Sequence, residues 1–275
     1  MRTARNVGLS LVLAAGVGAL LLVLVLPLVA LLLRVPPLAL LRRLGEPAIL
    51  EALRLSLVTS AVSTTLIVGL GLPIAYLLAT AVFPGKRLLE SVVELPMVLP
   101  PTVAGVGLLL AFGRTGLAGH ALAVAGITIP FTAVAVVLSQ IFVGAPFFIT
   151  AATAGLREVE TGYIDAAASL RASPGRTLMR VMLPLSLPSL VAGAALAWAR
   201  ALGEFGATIT FAGNLPGRTQ TMPLAVYLAL QTDLDAAVAM SVLLLAVSFG
   251  VLLTLRALPL SLSAGGGPRA ARPRR

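Results

Sequence analysis

The chain has 275 residues, of which 59% are hydrophobic and only 11% charged, and its mean hydropathy of +1.04 lies far above that of a soluble domain. The absence of cysteine and the presence of a single histidine, His120, exclude disulfides, thiolate metal sites, a cysteine nucleophile and a histidine-pair metal site or proton relay. The net charge of +10 does not point to nucleic acid, because the bases sit at the ends of apolar runs and in the C-terminal tail, not on one continuous face.

The apolar residues come in blocks matching the ~20 residues that a helix needs to cross the hydrocarbon core. The first, 7–33, follows Arg2 and Arg5 and exceeds the ~7 to 15 residue core of a cleaved signal peptide, which predicts a retained membrane helix. Further runs cover 55–82, 92–112, 129–150, 184–211 and 236–255. Six spans place both termini on one side of the membrane. With the N-terminus inside, Arg2, Arg5, Lys86, Arg87, Arg157, Arg171, Arg176, Arg180, Arg256, Arg269, Arg272, Arg274 and Arg275 fall in cytoplasmic segments. Arg34, Arg42, Arg43, Arg114 and Arg218 fall outside. Thirteen bases against five satisfy the positive-inside bias and predict cytoplasmic termini.

Spans three to five carry Pro96, Pro100, Pro101, Pro130, Pro146, Pro184 and Pro188. Each proline removes a backbone hydrogen bond that lipid cannot replace, so the freed carbonyls face other helices or water. Proline is common in membrane helices generally, and the adjacent pair Pro100 and Pro101 is the strongest sign of a pathway. The sequence shows no repeat period of 20 to 50 residues, so residues 1–262 read as one transmembrane domain. The Gly/Pro-rich basic tail, 263–275, reads as disordered against anionic lipid.

The longest predicted cytoplasmic connection, 155–183, reads GLREVETGYIDAAASLRASPGRTLMRVML. It suggests two short helices. The first covers 163–170, with Ala166, Ala167 and Ala168 offering a smooth surface for close approach by another protein. Ser173 fits an N-cap, and Pro174 the first position of the second.

This segment resembles the inner-membrane permeases of bacterial ATP-binding-cassette (ABC) importers. Their signature is Glu-Ala-Ala, three residues, Gly, nine residues, Ile, one residue, Leu-Pro. Here Asp165-Ala166-Ala167, Arg171, Val181 and Leu183-Pro184 stand at the same spacing. Asp165 keeps the charge of Glu. Arg171 replaces the Gly of the turn and costs about 1 kcal/mol if that turn needs positive φ. The resemblance implies an all-α membrane protein of about six transmembrane helices, with the type I ABC importer permease fold and a cytoplasmic coupling helix. It also implies that Tyr163, Asp165, Ala166, Ala167, Ala168, Leu170, Arg171, Ser173, Pro174 and Arg176 dock on an ATPase dimer, which carries the ATP and Mg. This chain has no phosphate-binding loop of its own, since Gly85-Lys86 is followed by Arg87 and lacks the earlier Gly. The chain is therefore expected to be a transport subunit without catalytic residues, cofactor or metal.

The stretches ARALGEFGATITFAGNLPGRTQTMPLAVY, 199–227, and LPMVLPPTVAG, 95–105, are similar to molybdate permeases, and less closely to tungstate and sulfate/thiosulfate permeases. The resemblance implies import of molybdate or tungstate delivered by an external binding protein, through a permease homodimer in the bacterial inner membrane. Sulfate or thiosulfate import is the alternative within this class. An ion-coupled carrier is more remote, because only Glu94 and Glu204 are acidic at any depth. A membrane enzyme would need a polar constellation, and no His/Asp/Glu cluster stands out.

A dianion needs donors in a water-filled cavity. Arg200, Thr208, Thr210, Thr219 and Thr221 are available. Arg200 and Glu204, four residues apart, either neutralise each other as an intrahelical pair or set the potential of the pathway. The expected lining or gate is Arg200, Glu204, Phe205, Gly206, Thr208 and Thr210. His120 reads as a surface or packing residue, and Trp198 as packing or an interface anchor.

Overall fold

Proline chemistry sets several helix ends in this protein more sharply than hydrophobicity does. The computed structural model describes residues 2–34, 43 and 45–263, with side chains from 13–34, 43 and 45–254. Arg42 and the basic tail beyond Ser263 lie outside the described residues. All regular structure among the described residues is helical.

Helix α1 (Arg2–Arg34) is apolar on every side and leaves Leu20 and Val23 exposed to the surroundings, as befits a lipid-facing span. Helix α2 (Pro47–Thr80) begins two turns before the apolar run, because Pro47 sits in its first turn, where a missing N–H costs nothing. The third apolar run is not one helix. It folds as α3 (Lys86–Val98) and α4 (Pro101–Phe112), whose axes differ by 117°. Pro100 forces Leu99 into an extended conformation (φ −67°, ψ 133°), and Pro101 lacks the N–H that would continue the helix.

After the short helix α5 (Gly119–Val124), α6 (Ala133–Arg157) starts four residues later than the apolar run and continues nearly two turns past it. Thr132 caps its start by accepting from the Ala135 N–H at 3.4 Å. The connector forms α7 (Thr161–Ser169) and α8 (Pro174–Thr177), followed by a π-helical turn (Leu178–Met182) that runs into α9 (Leu183–Leu202). The fifth apolar run is also interrupted. Helix α9 stops at Leu202, and α10 (Gly206–Phe211) resumes after Phe205, whose φ of −126° lies outside the helical region. Helices α11 (Met222–Ala229) and α12 (Leu234–Ser263) complete the described residues. Among the described residues five helices are long and apolar enough to cross a membrane, or six if the α3–α4 pair counts as one span.

Helix α6 is the centre of the bundle and packs against both α2 and α9, which also touch each other. Ile67, Ala75 and Leu78 of α2 pack on Phe148, Ile149, Ala152 and Leu156 of α6 and on Ala197 of α9. The same α2–α6 seam holds small polar residues that satisfy one another. Ser63 Oγ donates to Gln140 Oε1 at 2.8 Å, Gln140 Nε2 donates to Thr59 Oγ1 at 3.2 Å, and Thr59 donates to the Leu55 carbonyl at 2.8 Å. In lipid such internal pairing is what makes buried hydroxyls and amides tolerable. Trp198 is buried within α9 and His120 is exposed on α5.

Candidate functional site

The connector between α6 and α9 presents most of its singled-out residues to the surroundings. Tyr163, Asp165, Ala166 and Ala168 on α7 are exposed, and Leu170 just past its end is 84% exposed. Ala167 faces the other way and is buried, so the alanine run is split between the interior and the outer surface. Arg171, Ser173, Pro174 and Arg176 are exposed around the turn into α8.

Arg171 adopts φ +58°, the left-handed conformation expected of a Gly at this place. Its N–H donates to the Ala168 carbonyl at 2.8 Å, and the Ala172 N–H reaches the Ala167 carbonyl at 3.0 Å. This is the Schellman closure of α7. Pro174 occupies the first turn of α8 as its sequence position implies, but Ser173 makes no side-chain cap bond. Beneath α7 and α8 lies a cavity of about 460 Å³ lined by Tyr76, Leu156, Val159, Ile164, Pro174 and Met182, among others.

The second cluster forms where the two interrupted spans meet. Helix α4 packs along α10 at a spacing that only glycine permits. A Cβ on Gly105 would stand 2.7 Å from Thr210 Cβ and 2.8 Å from the Ala207 carbonyl oxygen, and one on Gly206 would stand 2.6 Å from Pro101 Cβ. The stretches 95–105 and 199–227, far apart in sequence, are thus in direct contact.

Glu204 makes the break between α9 and α10. Its side chain is fully buried, and its Oε1 accepts the Ala207 N–H at 2.8 Å, so the carboxylate occupies the positive end of α10 and satisfies one of its free donors. Arg200 Nη1 lies 2.7 Å from the other oxygen, Oε2, in an ion pair without hydrogen-bond alignment. The pair spans the end of α9 instead of lying along one continuous helix. Phe205 stacks at a tilt on Tyr227, with ring centroids 5.0 Å apart. Thr208 is buried with its hydroxyl unpaired, while Thr210 donates to the Gly206 carbonyl at 2.9 Å. Of the other threonines, Thr219 accepts from the Leu215 N–H at 3.0 Å and holds a loop, and the buried Thr221 hydroxyl has no partner.

Two residues outside the sequence-derived set enter through packing. Arg157, the last residue of α6, lies 2.7 Å from Glu90 of α3. The two are 67 positions apart, and only the packing of α3 on α6 brings them together. Among the described residues no group of three or more His, Cys, Asp or Glu side chains is arranged to hold a metal ion.

Residues 67–258 match the model of the family described as binding-protein-dependent transport system inner membrane component. The chain is 46% identical over 228 residues to the molybdenum transport system permease protein ModB of Mycobacterium tuberculosis, covering 83% of this chain and 86% of that one. It is 35% identical to a probable sulfate transport system permease protein of Chlorokybus atmophyticus, covering 85% of this chain and 83% of the relative. In fold it is similar to a chain in the crystal structure of a bacterial alginate ABC transporter bound to its periplasmic protein, with a TM-score of 0.76 at 15% identity, covering 96% and 97% of the two chains. The architecture is that of the type I ABC importer permeases.

Proposed function

Because the chain belongs to the family of binding-protein-dependent transport system inner membrane components, we propose that it is the permease of an ATP-driven importer of molybdate or tungstate. The observation that carries the cargo is the 46% identity to a molybdenum permease over 83% of the chain, against 35% over 85% and 40% over 67% to sulfate relatives.

In this reading two copies of residues 1–262 form the membrane pore, with both termini and the connector on the cytoplasmic side, and the basic tail contributes only a surface anchor. The exposed face of α7 and its turn, from Tyr163 to Arg176, docks on an ATPase dimer that holds ATP and Mg. Small side chains at Ala166 and Ala168 let a partner backbone approach closely, while Tyr163 and Leu170 offer apolar anchors. An external binding protein delivers the anion and carries most of the discrimination.

Within the membrane, the segment from Arg200 through Thr210 lines or gates the pathway. Its support is physical. A dianion crosses lipid only where donors replace water, and the segment carries a half-buried guanidinium, the buried Thr208 hydroxyl and a helix break, with its Gly206 resting on Pro101 beside the bend. Glu204 holds Arg200 in place and keeps the local charge near neutral until the cargo arrives.

The test is purification of the tagged chain with the products of its neighbouring genes, followed by ATPase assay in lipid with the binding protein and each anion. Stimulation by molybdate or tungstate and not by sulfate is the expected result. Stimulation by sulfate would replace the cargo, and absence of any copurifying ATPase would overturn the importer reading.

A further inference from the structure

Helix α3 is only lightly anchored to the bundle. It buries none of its residues fully, and its packing is mainly against α6, through the half-buried Leu89 and Val93. Yet α3 leads directly into the Leu99–Pro100 bend and so into α4, which carries the glycine contacts to α10. Whatever fixes α3 relative to α6 also fixes the bend.

Arg157 supplies a polar fixation. One of its nitrogens, Nη2, lies 2.7 Å from Glu90 Oε1 on α3 and donates to the Leu78 carbonyl in the last turn of α2 at 2.9 Å. That carbonyl is one of those left free at a helix end, where a cation is favoured. Arg157 is also the end of α6, four residues before the start of α7. A single side chain therefore joins the root of the connector to α2 and to the first half of the bent span.

The pair is half-exposed, with the Arg157 and Glu90 side chains 48% and 32% accessible, and such pairs add little to folding stability. It borders a cavity of about 240 Å³ that is also lined by Glu94, Thr150 and Thr153, and the buried Thr153 hydroxyl has no partner. That space lets the guanidinium remain attached while the helices around it shift. Glu94, one turn further along α3, is exposed and forms no ion pair among the described residues.

We infer that Arg157 is a positioning residue that transmits displacement of the connector to the α3–α4 bend through its bond to Glu90. The inference rests on the importer reading. It makes the ion pair a mechanical link with little role in stability, so its removal separates ATP hydrolysis from transport and leaves the fold intact.

The test is a double-mutant cycle in lipid with the complete complex: Arg157→Ala, Glu90→Gln and the two combined, with Glu94→Gln as control. Assembly with the ATPase, thermal stability, basal hydrolysis, stimulation by loaded binding protein and anion uptake are all measured. Both single variants are expected to assemble and to hydrolyse ATP like wild type, but to lose about tenfold in uptake and stimulation. The combined variant should be no worse than either single one, and Glu94→Gln should match wild type. Wild-type uptake in the single variants, losses that multiply in the combined variant, or losses that track a fall in thermal stability would each overturn the link. Failure of the wild-type complex to show anion-dependent hydrolysis would instead strike at the importer reading itself.

Discussion

Gly206 at the start of α10 rests on Pro101 at the start of α4 so closely that a methyl group on Gly206 would stand 2.6 Å from the proline Cβ. Neither side can yield easily, since one atom belongs to a rigid ring and the other would be fixed to backbone. Gly206→Ala is therefore expected to lower stability by about 1 to 3 kcal/mol through overpacking, and Gly105→Ala, crowded by Thr210 and the Ala207 carbonyl, by a similar amount. Gly107, two residues along the same helix, faces open space. Gly107→Ala should then leave stability unchanged or raise it by up to about 1 kcal/mol through helix propensity. Thermal unfolding of the three variants in detergent checks the contrast, and equal effects at 105 and 107 would refute the close contact.

The connector makes a prediction of opposite sign. Arg171 holds φ +58°, a conformation that costs a residue with a Cβ about 1 kcal/mol relative to glycine. Arg171→Gly should tighten the closure of α7, seen as slower amide exchange at Ala172, whose N–H closes that turn. Arg171→Val should loosen it, because a β-branched residue tolerates positive φ poorly. If Arg171→Gly exchanged faster than wild type, the turn would not be strained.

At the start of α12, Asp233 Oδ1 accepts the Ala236 N–H at 3.0 Å, and Oδ2 lies 3.0 Å from Arg43 Nη1. The bond from the Ala236 backbone, followed by Arg43, holds its carboxyl below the ordinary aspartate value of 3.8. A depressed folded-state value means that the contribution is complete above the unfolded value and is lost as the pH falls through the folded one. Amide exchange at Ala236 should therefore rise as the pH drops from about 6 to about 3 after correction for intrinsic rates. In Asp233→Ala it should be fast at both ends. A pH-independent difference between the two proteins would refute the assignment.

How much of this was legible in the sequence depends on the range of the force involved. At Pro100–Pro101 the covalent chemistry of proline marks an interruption, but hydropathy alone reads 92–112 as one run and gives no sign of the 117° bend. The turn at Arg171 is signalled by the resemblance, in which Arg stands where the signature has Gly. The break after α9 does not show, because residues 184–211 are apolar enough to read as one helix. What interrupts them is a local end-capping contact, in which Glu204 turns back to accept the Ala207 N–H three residues on, and hydropathy does not register it. The pairing of Arg157 with Glu90 is invisible for a different reason: 67 positions separate them, and no local pattern carries that register. The same holds for the meeting of Gly206 and Pro101, although the two stretches had each stood out alone.

Arg200 and Glu204 give the most discriminating prediction, since the two sequence-level readings of the pair, mutual neutralisation and pathway charge, lead to different mutant behaviour. The Glu204 carboxylate is fully buried, with Arg200 2.7 Å away and 29% accessible. Arg200→Ala leaves that carboxylate without its counter-charge and should cost about 3 kcal/mol. Glu204→Gln removes the buried charge and retains an oxygen that can accept from Ala207, so it should cost less. The combined Arg200→Ala and Glu204→Gln variant should recover most of the stability lost by Arg200→Ala alone, which thermal unfolding of the four proteins would reveal. If neutralisation is the whole role, that recovered protein also regains anion uptake. If Arg200 sets the pathway potential, stability returns while uptake stays low, and the two measurements part company in one variant. Additive losses of stability, with no recovery in the combined variant, would mean that the ion pair is not coupled at all.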